Sequence, residues 1–273
     1  MHELSLDELR KIQIEILDVV TKFCDDHEIN YWLDGGTLIG AVRHKGYIPW
    51  DDDIDLGMLR PDYDKFMRLF NEHNTRYKFH CIENDPKFFT PFGKVLDPET
   101  ILYEPDEKGI KIAVNIDIFV YDNAPDDDVI VKEMFDARDY YRSKFYKRIS
   151  RVFGPVKGNL LRRLCAYPYR MLKKVFSSSS YFPPEYFVRK IIDVSRRYIS
   201  ADTKCIGNFT GWAKAICDKH AFSSFIDGEF EGKNYKIPVG YDEWLRAFYG
   251  DYMQLPPVEE RVTHHTFKAY AKD

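Results

Sequence analysis

Two short runs in this chain alternate acidic or amide side chains with branched apolar ones, and this alternation constrains the fold more than any other feature. In Asp53-Ile54-Asp55-Leu56 the two-residue period of a strand puts both carboxylates on one face and Ile54 and Leu56 on the other. The run Val114 to Val120 does the same with Asn115 and Asp117. If the two runs are neighbours in one sheet, Asp117 joins Asp53 and Asp55 in a triad. Adjacent carboxylates repel unless a cation neutralises them. Magnesium, or manganese in its place, takes one or two carboxylates and fills its other positions with water and phosphate oxygens. A triad around one or two such ions serves in-line displacement at phosphorus. The bland reading of Asp51-Asp52-Asp53, which follows Pro49-Trp50, is a solvated acidic turn. Asp117 fits that reading less well, because a lone carboxylate between Ile116 and Ile118 needs a partner. It is also a candidate general base towards an acceptor hydroxyl.

The residues around these runs point to phosphate. Ile29 to Leu33 reads as a short strand, and Gly35-Gly36-Thr37 turns the chain tightly into a helix whose exposed amides can hold a phosphate. Arg43 and His44 fall at the end of that helix, within reach of a diphosphate; alternatively they only complement the helix dipole. Lys94 follows Gly93 inside a strand, where its ammonium can stabilise a transferring phosphoryl group or simply snorkel to solvent.

The stretch LDGGTLIGAVRHKGYIPWDDDIDLGM, residues 33–58, resembles the signature of the LicD family, and Phe92 to Asp97, Tyr249 to Tyr252 and His264-His265 resemble further blocks of it. Fukutin and the fukutin-related protein are distant animal relatives of that family. The resemblance implies a nucleotidyltransferase superfamily palm. The superfamily's glycine pair maps onto Gly35-Gly36-Thr37, its Asp-x-Asp onto Asp53 and Asp55, and its third acid onto Asp117. Sixteen residues separate Gly36 from Asp53, longer than the compact superfamily spacing but usual for LicD-like sequences. The resemblance also implies the reaction: transfer of phosphocholine or a similar phospho-alcohol from CDP-choline or another CDP-alcohol to a lipid-linked glycan acceptor, teichoic acid or lipopolysaccharide. His264 and His265 would bind phosphate or orient the acceptor; a metal role ranks last, because adjacent residues rarely point to one ion. Two alternatives stay open: a nucleotidyltransferase that releases pyrophosphate, and a non-catalytic glycan- or membrane-binding protein on a degenerate fold.

Read in order, the chain opens with an amphipathic helix over residues 4–27, capped by Ser5 and Glu8. A helix begins at Pro61, and strands are expected at 77–83, 89–96 and 111–121. This is an α+β pattern, a mixed sheet with helices packed on it. From Asp126 onward the pattern turns helical, at 127–149, 158–176 and 184–199, before a short strand at 235–238 and a helix at 242–248. The expected organisation is a catalytic core over 1–125, a basic helical subdomain over 126–232, and a segment over 233–273 that folds back on the active site.

Composition narrows the class further. No apolar run is long enough to span a bilayer and no signal-peptide pattern opens the chain, which points to the cytoplasm. The five scattered cysteines suit reduced thiols, and a zinc loop of Cys205, Cys217 and His220 fits no familiar spacing. Residues 138–198 carry 16 Lys/Arg against 3 Asp/Glu, although the whole chain has a net charge of −4. Interleaved with leucines and aromatics, that segment suits peripheral contact with an anionic membrane at the inner face. No nucleic-acid-binding signature accompanies it. A choline group would need an aromatic cage, for which Tyr47, Trp50, Trp212, Trp244, Tyr249 and Tyr252 are available.

Overall fold

A computed structural model describes residues 1–73, 75–103, 111–149, 182–263 and 267–272. The expected helix at 158–176, most of the basic segment and His264-His265 therefore lie outside the described residues.

Strand β1 (His2–Glu3) leads into helix α1 (Leu6–Asp26) through the expected capping box: the Ser5 hydroxyl accepts from the Glu8 N–H at 3.3 Å, and Glu8 accepts from the Ser5 N–H at 2.8 Å. Leu9, Ile16, Leu17, Val20 and Phe23 are buried at helical spacing, and α1 lies across the sheet it was expected to cover. There follow β2 (Trp32–Leu33), helix α2 (Gly35–Ile39) with a π-helical turn to His44, β3 (Asp55–Leu59), α3 (Arg60–Leu69), β4 (Lys78–His80), β5 (Gly93–Tyr103) and β6 (Lys111–Ala124). The second half holds α4 (Asp128–Ile149), α5 (Pro184–Ser195), β7 (Cys205–Gly207), β8 (Ile216–Asp218), β9 (Phe225–Phe230), β10 (Lys233–Pro238), α6 (Tyr241–Tyr249) and β11 (Lys268–Ala271).

Among the described residues, nine strands make one mixed sheet in the order β1-β11-β5-β6-β3-β2, with β4 added beside β5, and β7 then β8 beside β6. Among the described residues, β3 and β6 are the one parallel pair. Along β6, Val114, Ile116, Ile118 and Val120 are buried on one face, joined there by Leu56 and Met58 of β3. The opposite face carries Asn115, Asp117 and Phe119 into a cleft. Helices α4 and α5 pack against each other beside this face. A buried bidentate pair anchors α5: Arg60 meets Asp122 at 2.8 and 2.7 Å, and the Ser195 hydroxyl of α5 donates to the same carboxylate.

The structure also shifts several expected elements. The strand expected at 89–96 starts only at Gly93, since Pro91 has no N–H for a ladder, and it runs on past Pro98 through a register shift between Asp97 and Leu102. The strand at 235–238 is half of a hairpin, β9 and β10, closed by Glu231 and Gly232, both at positive φ. The C-terminal strand β11 enters the sheet beside β5, and β1 completes the edge beyond it.

Candidate active site

The site is built where β2 turns into α2. The Asp34 N–H donates to the Asp55 carbonyl at 2.9 Å, and Gly35 turns at φ +54°. A Cβ on Gly35 would come within 2.5 Å of Asp55 Oδ2, and one on Gly36 within 2.5 Å of Asp51 Oδ2. The glycine pair thus sits where carboxylates lie directly against backbone. Thr37 Oγ1 accepts from the Asp55 N–H at 2.9 Å, and the Ile54 carbonyl accepts from the Asp117 N–H at 2.8 Å.

Asp55 stands opposite Asp117 across the parallel pair, and Asp117 stands opposite Lys94 across the antiparallel one. The three residues form a row across β3, β6 and β5, in steps of about 4.8 Å set by the strand spacing. Lys94 ion-pairs with Asp117 and donates to Asn115 Oδ1 at 3.0 Å. Asp53 precedes β3 and lines the same cleft, which encloses about 530 Å3.

The acidic loop is held in place by α1. Arg10 Nη2 donates to the carbonyls of Ile48, Pro49 and Asp51 at 3.3, 3.1 and 2.6 Å. Gln13 Nε2 donates to the Asp52 carbonyl at 2.9 Å. Asp51, Asp52 and Asp53 each bring one oxygen within 4.8 Å of the others, the one such group of three possible metal ligands among the described residues. Cys205, Cys217 and His220 form no such group; the Cys217 thiol faces Glu243 at 3.4 Å instead.

The carboxylates of this cluster could coordinate a cation. Enclosure by protein, then the charges of Asp53, Asp117, Asp34 and Asp51, push the Asp55 carboxyl well above the usual carboxylate range. Asp51 is pushed up to about 8 by burial, then by Asp53. Asp34 is buried and accepts from Tyr121 Oη at 2.5 Å and Trp244 Nε1 at 3.1 Å; burial raises its pKa despite these bonds. An oxygen-only donor set of this kind fits a hard divalent ion such as magnesium.

Of the residues singled out in the sequence, Asp53, Asp55, Asp117 and Lys94 converge on the cleft, and Gly35, Gly36 and Thr37 pack behind it. Arg43 does not reach this cleft. It donates to the carbonyls of Tyr252 and Gln254 and lines a second hollow of about 370 Å3 with Trp50, Tyr249 and Tyr252. His44 lies beside Arg43, its Nδ1 accepting from Arg43 Nε at 3.4 Å. Among the aromatics weighed as a choline cage, Trp244 is fully buried and Trp212 already carries the Arg142 guanidinium at 4.4 Å. Asp34, Arg10, Gln13 and Arg142 escaped the sequence reading. Asp34 alone carried a usable signal, as the residue directly before the glycine pair.

The parallel pair bearing two carboxylates in register, with helices over the sheet, defines an enzyme of the nucleotidyltransferase type. A family model described as "LicD/FKTN/FKRP, nucleotidyltransferase domain" matches residues 28–152. The chain is 34% identical over 276 residues to the lipopolysaccharide cholinephosphotransferase LicD of Haemophilus influenzae, covering 99% of both chains. It is also 56% identical over 34 residues to the human ribitol 5-phosphate transferase FKRP, which is 12% of this chain and 7% of that one. To the mouse ribitol-5-phosphate transferase FKTN it is 31% identical over 113 residues, 41% of this chain and 21% of the relative. The protein belongs to the LicD family. No helix among the described residues is long and apolar enough to cross a membrane.

Proposed function

We propose that the protein is a magnesium-dependent phosphotransferase that moves phosphocholine, or a similar phospho-alcohol, from a CDP-linked donor to a sugar hydroxyl of a cell-envelope glycan and releases CMP. The observation that carries this reading is the row Asp55, Asp117, Lys94, which sets two carboxylates beside one ammonium on the floor of a cleft. Similarity along the whole chain to a lipopolysaccharide cholinephosphotransferase supports the choice of donor and acceptor.

In this reading Asp53, Asp55 and Asp117 hold the metal, which when bound neutralises the donor's diphosphate and polarises the phosphoryl group under attack. Lys94 adds positive charge where the transition state gains negative charge, and its pairing with Asp117 fixes it there. Asp117 accepts the proton of the attacking hydroxyl. Gly35, Gly36 and Thr37 position Asp55 and leave backbone room for phosphate oxygens. Residues 1–125 supply this chemistry, with 126–232 serving acceptor or membrane-surface binding and 233–273 folding back on the site. His264 and His265 are proposed to bind phosphate or orient the acceptor. Contact of 138–198 with an anionic membrane at the inner face belongs to the same proposal, carried by residues other than Arg138 and Arg142, which are buried.

Product analysis tests it. The protein is incubated with magnesium, a lipid-linked glycan, and either CDP-choline or CTP. Release of CMP with phosphocholine on the glycan is expected. Pyrophosphate released from CTP would establish the nucleotidyltransferase reading instead.

A further inference from the structure

Strand β3 begins at Asp55, so Asp53 lies ahead of the ladder that spaces Asp55 from Asp117. At that end of the ladder the Asp117 N–H donates to the Ile54 carbonyl at 2.8 Å. Beyond this bond a side chain of α1 joins the two carboxylate-bearing runs. Gln13 Nε2 donates to the Asp52 carbonyl at 2.9 Å and, more loosely, to the Asn115 carbonyl at 3.4 Å. One amide group thus bridges the residue before Asp53 and the residue two before Asp117. Gln13 is 2% exposed and lines the cleft.

The partners of this amide fix its orientation. Two carbonyls need two donors, which turns the NH2 group toward the loop and β6, and the Tyr47 hydroxyl donates to Oε1 at 3.0 Å. Tyr47 is held in turn: its N–H donates to Glu231 Oε1 at 3.0 Å, and the Arg10 guanidinium lies 4.6 Å from its ring centroid. Glutamate in place of Gln13 would turn acceptors toward two carbonyls, and lysine would bring a full positive charge beside a cation site. The bridge also works against a force. Asp53 opposes the charges of both Asp51 and Asp55, so without a cation the loop gains by swinging Asp53 away from the sheet.

We propose that Gln13 is a positioning residue of the metal site: by tying the Asp52 and Asn115 carbonyls to one amide, it keeps Asp53 within reach of the ion that Asp55 and Asp117 hold. Both N–H groups of the amide are committed to those carbonyls, so Gln13 acts through Asp53. The inference rests on the magnesium reading above and names what assembles that site before the ion arrives. Removing such an outer partner typically weakens a metal about 10–100-fold.

Calorimetric titration with magnesium alone tests the proposal on wild type, Gln13→Met, Tyr47→Phe and Ile16→Val. Methionine approximates the length of glutamine and lacks its donors. Tyr47→Phe keeps those donors but frees the amide to turn, a smaller lesion that stays readable if Gln13→Met does not fold. Ile16→Val thins the core under the same helix and removes no hydrogen bond. We expect Gln13→Met to weaken magnesium about tenfold or more, Tyr47→Phe to weaken it by a smaller factor, and Ile16→Val to lower the melting temperature with magnesium affinity unchanged. Wild-type affinity in Gln13→Met, or in Tyr47→Phe should the first variant not fold, would overturn the role of Gln13 and leave the metal reading intact. Equal weakening in Ile16→Val would also overturn it, reducing the effect to lost stability. No magnesium binding to wild type would overturn both readings together.

Discussion

Replacing Gly35 by alanine asks whether the glycine pair exists to let Asp55 lie against backbone. Two effects combine at this position. The backbone is left-handed, at φ +54°, which costs a non-glycine residue about 1–2 kcal/mol. The new methyl would also stand 2.5 Å from Asp55 Oδ2, so the carboxylate must retreat by about 1 Å to reach van der Waals contact. Gly232, at the tip of the β9–β10 hairpin, separates the two effects: its φ is +74°, and nothing lies within 4 Å of a Cβ there. Both alanine variants should lose about 1–2 kcal/mol, a fall in Tm of about 2–8 °C for a domain of this size. Only Gly35→Ala should lose turnover, by about a hundredfold, the effect of misplacing a catalytic group by about 1 Å. Thermal melts and CMP-release rates read the two effects independently. Wild-type turnover in Gly35→Ala, or an equal loss in Gly232→Ala, would refute the reasoning.

Asp55→Asn should raise the melting temperature without metal, because it removes a charge that Asp53, Asp117, Asp34 and Asp51 all oppose, and should abolish stabilisation by magnesium; a lower metal-free Tm would count against the electrostatic account. The Asp51 carboxyl, near 3.8 when unfolded, is pushed up to about 8 in the fold. Its contribution to metal-free stability is therefore full below about pH 4 and is lost as the pH rises through about 8. Because magnesium competes with that proton, the gain in Tm on adding magnesium should be larger at pH 8 than at pH 6; a gain independent of pH would exclude Asp51 from the linkage. Lys94→Met should lower kcat by tenfold or more with little change in KM, the signature of charge stabilised in the transition state; a rise in KM alone would make Lys94 a ground-state contact.

What was legible in the sequence follows from period. The runs at 53–56 and 114–120 announced themselves because a two-residue alternation persisted through their acids, and in the fold the two strands are parallel neighbours with Asp55 opposite Asp117. Helix α1 was equally readable, with a capping box and a stripe of five buried residues. Strands of two to four residues such as β1, β7, β8 and β11 carry no period, and their partners lie far away in the chain, as where Lys268 pairs with Tyr103. The hairpin was hidden because its turn uses Glu231, a residue that rarely takes positive φ. The site was legible only on its sheet side. Arg142 and Trp212 are 70 positions apart, and they meet through a loop whose carbonyls Arg142 holds, which no local pattern records.

The most direct measurement is calorimetric titration of the purified protein with CDP-choline, CDP-ribitol, CDP-glycerol and CTP, with and without magnesium, repeated on Asp53→Ala. Tight binding of one CDP-alcohol that requires magnesium and disappears in Asp53→Ala is the predicted result. Binding that ignores the metal, or that survives loss of Asp53, would contradict the claim that these carboxylates hold the ion against the donor.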